Sequence, residues 1–307
     1  MPLLTYTETG DTAQKGGSIR EDLLDFIENV SPADTPLYNN LGQIKVNAGY
    51  VEYLEDTLAA AAANAWTEGA AATDVTLTTP SRNVSIVQNF QKHFHVSGRE
   101  EAVNHAGMAS MLTYQEIKKA KEIKRDIELA LHRGSAVSGT TSVAPQFNGM
   151  LNALSTNMTS SSGTTLTESV FNDLLTLAFS YNVNLREVYC NMYLKRTING
   201  YSTNVTRNIS AEAKRQLNIV DVYDSEVGTV ALFKSRDQLQ AATKSAQGNS
   251  FIAIDPDYFQ VGWLRPLKTQ TLGLDGDRTR KLMVGELTLI VRSEKAGVGG
   301  KGYVANI

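Results

Sequence analysis

The stretch from residue 48 to residue 97 restricts this chain more than any other part of it. Tyr50 to Leu58 is rich in β-forming residues, and residues 59 to 72 follow with nine alanines around Trp66, Glu68 and Gly69. Beyond them Val84, Ile86, Phe90, Phe94 and Val96 alternate with Ser85, Asn89, Gln91, His93, His95 and Ser97, the period of a strand with one apolar face. Together the two runs predict a long β-hairpin with its tip near residues 67 to 80. At about 3.3 Å per residue, an arm of roughly 18 residues reaches on the order of 60 Å. A domain of about 150 residues has a radius of gyration of only roughly 15 Å. Such an arm cannot fold back wholly onto its own core, so its apolar face is covered by another chain, or the hairpin bends. A bare two-stranded ribbon is marginal in water, which favours the neighbouring chain. The competing reading is two short strands joined by an alanine-rich helix over residues 58 to 65.

The flanking segments predict a mixed α+β chain. Residues 1 to 18 are polar and read as a flexible arm, followed by a short helix with Ile19, Leu23, Phe26, Ile27 and Val30 at helical spacing. Ser97 and Glu100 have capping-box spacing. Residues 108 to 133 read as one long helix with a narrow stripe of Met111, Tyr114, Ile117, Ala120, Ile123, Ile127 and Leu131, and with Gly134 as the residue that ends it. Nine of the thirteen residues from Glu116 to Glu128 are charged, and Lys118/Glu122 and Lys124/Glu128 stand four apart. A helix so built lies across a surface. A second capping box, Thr165 to Glu168, opens a helix with Val170, Leu174, Leu177, Ala178 and Tyr181 inward. Strands are expected at 186 to 190, near 217 to 223, 229 to 234, 250 to 254, 258 to 273 and 281 to 292, with a helix at 191 to 200. The glycine-rich tail from Lys295 reads as an edge or arm.

A search for chemistry returns little. The net charge of −3 argues against a dedicated nucleic-acid binder, which carries a clear basic excess. No apolar run is long enough to span a bilayer and no signal peptide is evident, so synthesis in a cytosol and no membrane partner are expected. The single cysteine, Cys190, excludes an internal disulfide and reads as a buried small hydrophobe. His93 and His95 stand two apart on one strand face, a spacing that could bind a metal, but no acid or thiol precedes them within six residues. His105 and His132 stand alone on helices. The run from Gly297 to Gly302 lacks the Ser or Thr and the following helix of a phosphate loop, and the acids at Asp255, Asp257, Asp275 and Asp277 read as turn residues. No catalytic residue, metal ligand or cofactor site is expected, and the alternative of a metal-dependent enzyme rests on His93 and His95 alone.

Several runs in order carry a resemblance: Asn29 to Tyr38 (NVSPADTPLY), Tyr53 to Leu58 (YLEDTL), Trp66 to Gly69 (WTEG), Arg82 to Val87 (RNVSIV), Val96 to Val103 (VSGREEAV) and Lys124 to Leu131 (KRDIELAL). The chain resembles the major capsid proteins of tailed bacteriophages, in particular a podovirus-like branch with the Hong Kong ninety-seven coat fold. The resemblance implies an N-terminal arm (1–44), an E-loop hairpin (45–98), a P-domain (99–149 and 266–307) with a spine helix at about 108–133, and an A-domain (150–265). It implies a homo-oligomer of hexamers and pentamers forming the virion shell around double-stranded DNA, which it contacts without sequence readout. Scaffolding, portal and cement proteins are the further partners of such shells. Trp66, Glu68, Val84, Ile86, Phe90 and Phe94 of the E-loop would touch the adjacent subunit, and Glu116, Lys118, Glu122, Lys124 and Glu128 would give the spine helix its charged face. Some such shells are sealed by a Lys–Asn bond, but no lysine lies between Lys45 and Lys92, so crosslinking through the hairpin tip is not expected. A same-fold alternative is an encapsulin-like bacterial compartment. The low charged fraction of 20% fits a subunit that hides much of its surface against its own copies.

Overall fold

A computed structural model describes residues 34–56, 58–71, 77, 79–104, 109–201, 221–240, 248–273 and 276–305. The flexible arm and the helix expected within residues 18 to 30 lie outside the described residues, as do His105 and Asp275. In chain order the elements are α1 (Pro36–Asn40), β1 (Gly42–Lys45), β2 (Tyr50–Glu55), β3 (Ser81–Ile86), β4 (Gln88–Ser97), α2 (Gly98–Ala102), α3 (Met111–Arg133), α4 (Met150–Ala153), β5 (Met158–Ser160), α5 (Glu168–Phe179), β6 (Glu187–Cys190), α6 (Met192–Asn199), β7 (Val222–Ser225), β8 (Gly228–Lys234), β9 (Asn249–Ile254), β10 (Phe259–Thr271), β11 (Arg278–Val291) and β12 (Gly297–Tyr303).

β3 and β4 are almost one strand, interrupted at Val87, yet they serve different sheets. β3 pairs with β2 from Tyr50↔Ile86 to Glu55↔Ser81, and β4 pairs with β11 from Gln88↔Leu287 to Ser97↔Arg278. The hairpin proper is therefore six pairs long, roughly 20 Å, and residues 58 to 66 form no helix. Nine residues without a packing partner are too few to sustain one. The expected single apolar face is split with the strand: Phe90 and Phe94 are buried within the subunit, on a strand covered by α3, and so are not free for an adjacent chain. β4 closes a four-stranded sheet of order β1-β10-β11-β4.

The long helix α3 is capped by Ser110, whose side chain accepts from Thr113 N, and only its second half is buried, through Ile123, Ile127 and Leu131. Ile117, expected inward, is 56% exposed. Gly134 does not end the helix in a left-handed turn; a Cβ there would stand 2.7 Å from the carbonyl oxygens of Ala130 and Phe147, so close packing demands the glycine. Glu122 pairs with Lys119 (2.8 Å) and not with Lys118, while Glu116 reaches Lys281 on β11 (2.6 Å). The pairing of Lys124 with Glu128 is also corrected. Glu128 is fully buried and accepts from Leu37 N (2.9 Å) and Tyr38 N (2.8 Å), with His132 at 3.2 Å. His132 is likewise not alone, contacting Ser235 Oγ (2.9 Å) and Gln238 Nε2 (3.0 Å).

The second sheet has six strands in the order β5-β12-β9-β6-β8-β7. On its α5 the cap is Thr167, not Thr165, and the buried side chains are Phe171, Leu174, Leu175 and Ala178, leaving Leu177 and Tyr181 exposed. Both stripes have helical spacing; docking of Phe171 among Tyr201, Tyr223 and Phe251, with centroids 5.5 to 6.2 Å away, selects one. The tail is corrected from edge or arm to inner strand. β12 lies between β5 and β9, so residues 297–303 sit in this sheet and not with the spine helix. Its glycines are packing residues: a Cβ on Gly300 would meet Tyr303 and Phe251 within 2.6 Å, and Gly302 takes φ +80° against the Ser161 carbonyl. One continuous core runs from Leu37 and Phe90 through α3 to Phe251 and Tyr303.

Cys190 is fully buried in that core, and burial pushes its thiol up to about 12. A thiol held so far above the ordinary range carries almost no thiolate at neutral pH. A maleimide or disulfide reagent should therefore label it only as the chain unfolds, with labelling and loss of structure sharing one denaturant midpoint; prompt labelling of the native chain would contradict this packing.

Candidate assembly surface

The hairpin of β2 and β3 is rooted on the body and bare beyond it. Val46, Val87 and Ile290 form a small apolar cluster with Val51, Tyr53 and Leu264 at its base. Ser85 Oγ donates to the Leu289 carbonyl (2.7 Å) and Thr288 Oγ1 to that of Ile86 (2.8 Å), fixing the angle at which it leaves the body. Tyr53 is half-buried, and burial, then the neighbouring Glu55 charge, raises its phenol above the usual range. Asn83 Nδ2 donates to Glu55 Oε2 (2.8 Å) along this body-facing side.

Residues opposite each other in an antiparallel pair share a face. Tyr50, Glu52 and Leu54 thus share the other face with Ile86, Val84 and Arg82. Glu52 and Arg82 pair there at 3.2 Å, and Leu54 (68% exposed) and Val84 (50%) stand in the open, while Ile86 is half-buried. Past the strands Leu58 is 99% exposed and Trp66 60%, its indole N–H donating to Asn64 Oδ1 (2.6 Å). Glu68 and Gly69, the latter at φ +78°, are the central residues of the turn closed by Ala70 N and the Thr67 carbonyl (3.1 Å). An apolar face and a strap of small residues that the subunit leaves in water are material for contact with another surface.

The other expected site residues are scattered. His93 and His95 are exposed on β4, opposite Leu282 and Arg280, and a guanidinium beside His95 opposes cation binding. Among the described residues no group of three or more His, Cys, Asp or Glu could hold a metal ion. Asp255 acts as a turn residue, accepting from Asp257 N (3.3 Å), and Arg186 ties both acids. The hydrogen bond from Lys281 holds the Glu116 carboxyl below its usual range. The buried set of Glu128, His132, Ser235 and Gln238 escaped the sequence reading, although Glu128 and His132 stand four apart and flank the apolar stripe positions Ile127 and Leu131.

A long helix laid across a four-stranded sheet, a six-stranded unit sharing its core and a projecting hairpin make up the Hong Kong ninety-seven-like capsid fold. The capsid of a native GTA particle superimposes with a TM-score of 0.66 at 12% identity over 97% of this chain and 100% of that one. The holo-SrpI encapsulin complex of Synechococcus elongatus PCC 7942 does so with 0.59 at 11% identity over 97% of each chain.

The sequence model of the SU10 major capsid protein family matches residues 5–303, and this chain belongs to that family. The major capsid protein of Escherichia phage Phieco32 is 33% identical over 112 residues, 36% of this chain; the match spans about a third (32%) of that relative's length.

Proposed function

We propose that this chain is the major subunit of an icosahedral phage head, tiled as hexamers and pentamers around double-stranded DNA that it contacts without sequence readout. The observation that carries the reading is the hairpin's outward face, where Leu54 and Val84 stand uncovered by the subunit's own body. In this reading residues 45–87 are the E-loop, which lies over the adjacent subunit through Trp66, Glu68, Val84 and Ile86. The four-stranded sheet with α3 is the P-domain and the six-stranded sheet the A-domain. Scaffolding, portal and cement proteins are the further partners such a shell would use, and the virion is its place. No helix among the described residues is long and apolar enough to cross a membrane.

Electron microscopy of the expressed chain, alone and with a scaffolding protein, should show closed particles or capsomers. A stable monomer under every assembly condition would overturn the reading. Likeness to an encapsulin complex supports a second reading, a bacterial compartment. Portal and terminase genes beside this one favour the phage head, and a cargo enzyme gene favours the compartment.

A further inference from the structure

The charged face expected of the spine helix α3 is sorted by sign. Each of its four acids is engaged: Glu116 by Lys281 (2.6 Å), Glu122 by Lys119 (2.8 Å), Asp126 by Lys92 (2.7 Å), and Glu128 in the core by the amides of Leu37 and Tyr38. Lys118, Lys121, Lys124 and Arg125 are left exposed, and among the described residues none of them forms a salt bridge, although the charge of Asp237 is felt at Arg125. Lys118, Lys121 and Arg125 follow one another at i, i+3 and i+7, and Lys124 stands three residues from Lys121, so the four make one ridge of the helix. Like charges four apart, as Lys121 and Arg125 are, destabilise an isolated helix. No contact within the described part of the subunit offsets that repulsion.

The ridge stands on the side of the subunit away from the hairpin. Successive residues of a strand point to opposite faces of its sheet. Lys92 on β4 and Lys281 on β11 reach acids of α3, so the helix covers their face of the four-stranded sheet. Thr288 and Ile290 of β11 alternate with Lys281 and point the other way, Thr288 Oγ1 to the Ile86 carbonyl and Ile290 into the cluster with Val46 and Val87. The hairpin is therefore rooted on the opposite face from α3. Copies joined through their hairpins leave the α3 ridges uncovered on the other surface of the layer they form.

We propose that Lys118, Lys121, Lys124 and Arg125 are the contact between the inner surface of the shell and the phosphate backbone of the duplex DNA it encloses. The choice of occupant rests on the shell reading; the sign and exposure of the ridge do not. From Lys118 to Arg125 the helix rises about 10 Å, a length over which B-form DNA presents roughly six phosphate charges. The outer side of a helix laid on a sheet is convex, which gives a small anion no cradle and suits an extended polyanion. Phosphate contacts of this kind position a duplex and carry no sequence information. At a net charge of −3 the chain as a whole repels DNA, so the hold is local and lost in salt. Ile117, 56% exposed beside the ridge, is what an acidic protein partner would use, and that partner is the competing outcome.

The ridge is read on the unassembled full-length chain by its binding to short fluorescent duplexes of two unrelated sequences. Between about 50 and 200 mM salt, log Kobs should fall against log salt with a slope of about −3 to −4, the value for four phosphates neutralised, and alike for both duplexes. Changing Lys118, Lys121, Lys124 and Arg125 together to Gln should remove about 3 from that slope and weaken binding at least about tenfold at the lowest salt. Lys121→Gln alone should remove about 1, while Lys268→Gln, exposed on the hairpin's face of the sheet, should remove none. If the fourfold variant does not fold, the comparison of Lys121→Gln with Lys268→Gln decides. Absence of DNA binding at the lowest salt, a folded fourfold variant that binds like the parent, or an equal loss in Lys268→Gln and Lys121→Gln overturns the proposal. Tighter binding of poly-glutamate than of duplex DNA of equal charge also overturns it, in favour of an acidic protein segment. Shells formed by a chain that binds no DNA overturn this proposal alone; a chain that binds DNA through the ridge and forms no shells overturns the shell reading and leaves the contact standing.

Discussion

Replacing residues 56–80 with a two-residue Asn-Gly turn should leave a folded subunit that forms no stable shells. Glu55 and Ser81 are the last pair of the hairpin, so a short turn of that type can close it without disturbing the register. Every described residue between Leu58 and Ala71 is exposed, and so is Leu77, so their removal takes no apolar area out of the core. Single substitutions at such exposed positions usually move stability by no more than about 0.5 kcal/mol. What is lost is the strap carrying Leu58 and Trp66, which the subunit leaves in water. Chemical denaturation of the variant should match the parent while electron microscopy finds no closed particles. Shells of parental stability would remove this segment from the interface.

The opposite behaviour is expected a few residues further along the same strand run. Phe90→Ala should destabilise the isolated subunit by about 3–5 kcal/mol, the range for deleting a buried ring. Phe90 is buried against α3 and the ring of Phe147, whose centroid lies 6.3 Å away. A Trp66→Ala/Val84→Ser change should leave the denaturation midpoint of the subunit nearly unmoved and weaken assembly. The contrast separates the two halves of one alternating pattern by measurement. A Phe90→Ala chain that denatures like the parent yet fails to assemble would return Phe90 to the interface.

Much of the α+β order was legible because burial imposes its period on the residues themselves. The spine helix, β9, β10 and β11 fall within a few residues of where alternation and helical spacing put them, and the hairpin root was visible in Tyr50 to Leu54 and Arg82 to Ile86. The errors share one cause. Val84, Ile86, Phe90, Phe94 and Val96 form one unbroken pattern, and nothing in it records that pairing changes from β2 to β11 at Val87. The glycines of β12 looked like a loose tail because the demand for them lies largely in Leu154, Met158 and Phe251, distant along the chain.

Glu128 shows the same limit in charge. Beside Lys124 it reads as one more solvated acid of a surface helix, a local pairing that costs nothing. Only the fold brings the amides of Leu37 and Tyr38, some ninety residues earlier, to its two oxygens and makes it a buried anchor. The sequence by itself determined which segments could be strand or helix, since that follows from periodicity, but the long arm it predicted is cut to a six-pair hairpin by the change of partner at Val87. Which face each segment buries, which of its apolar residues stay in water, and which charges turn inward were decided by tertiary structure, because each depends on partners far away in the chain.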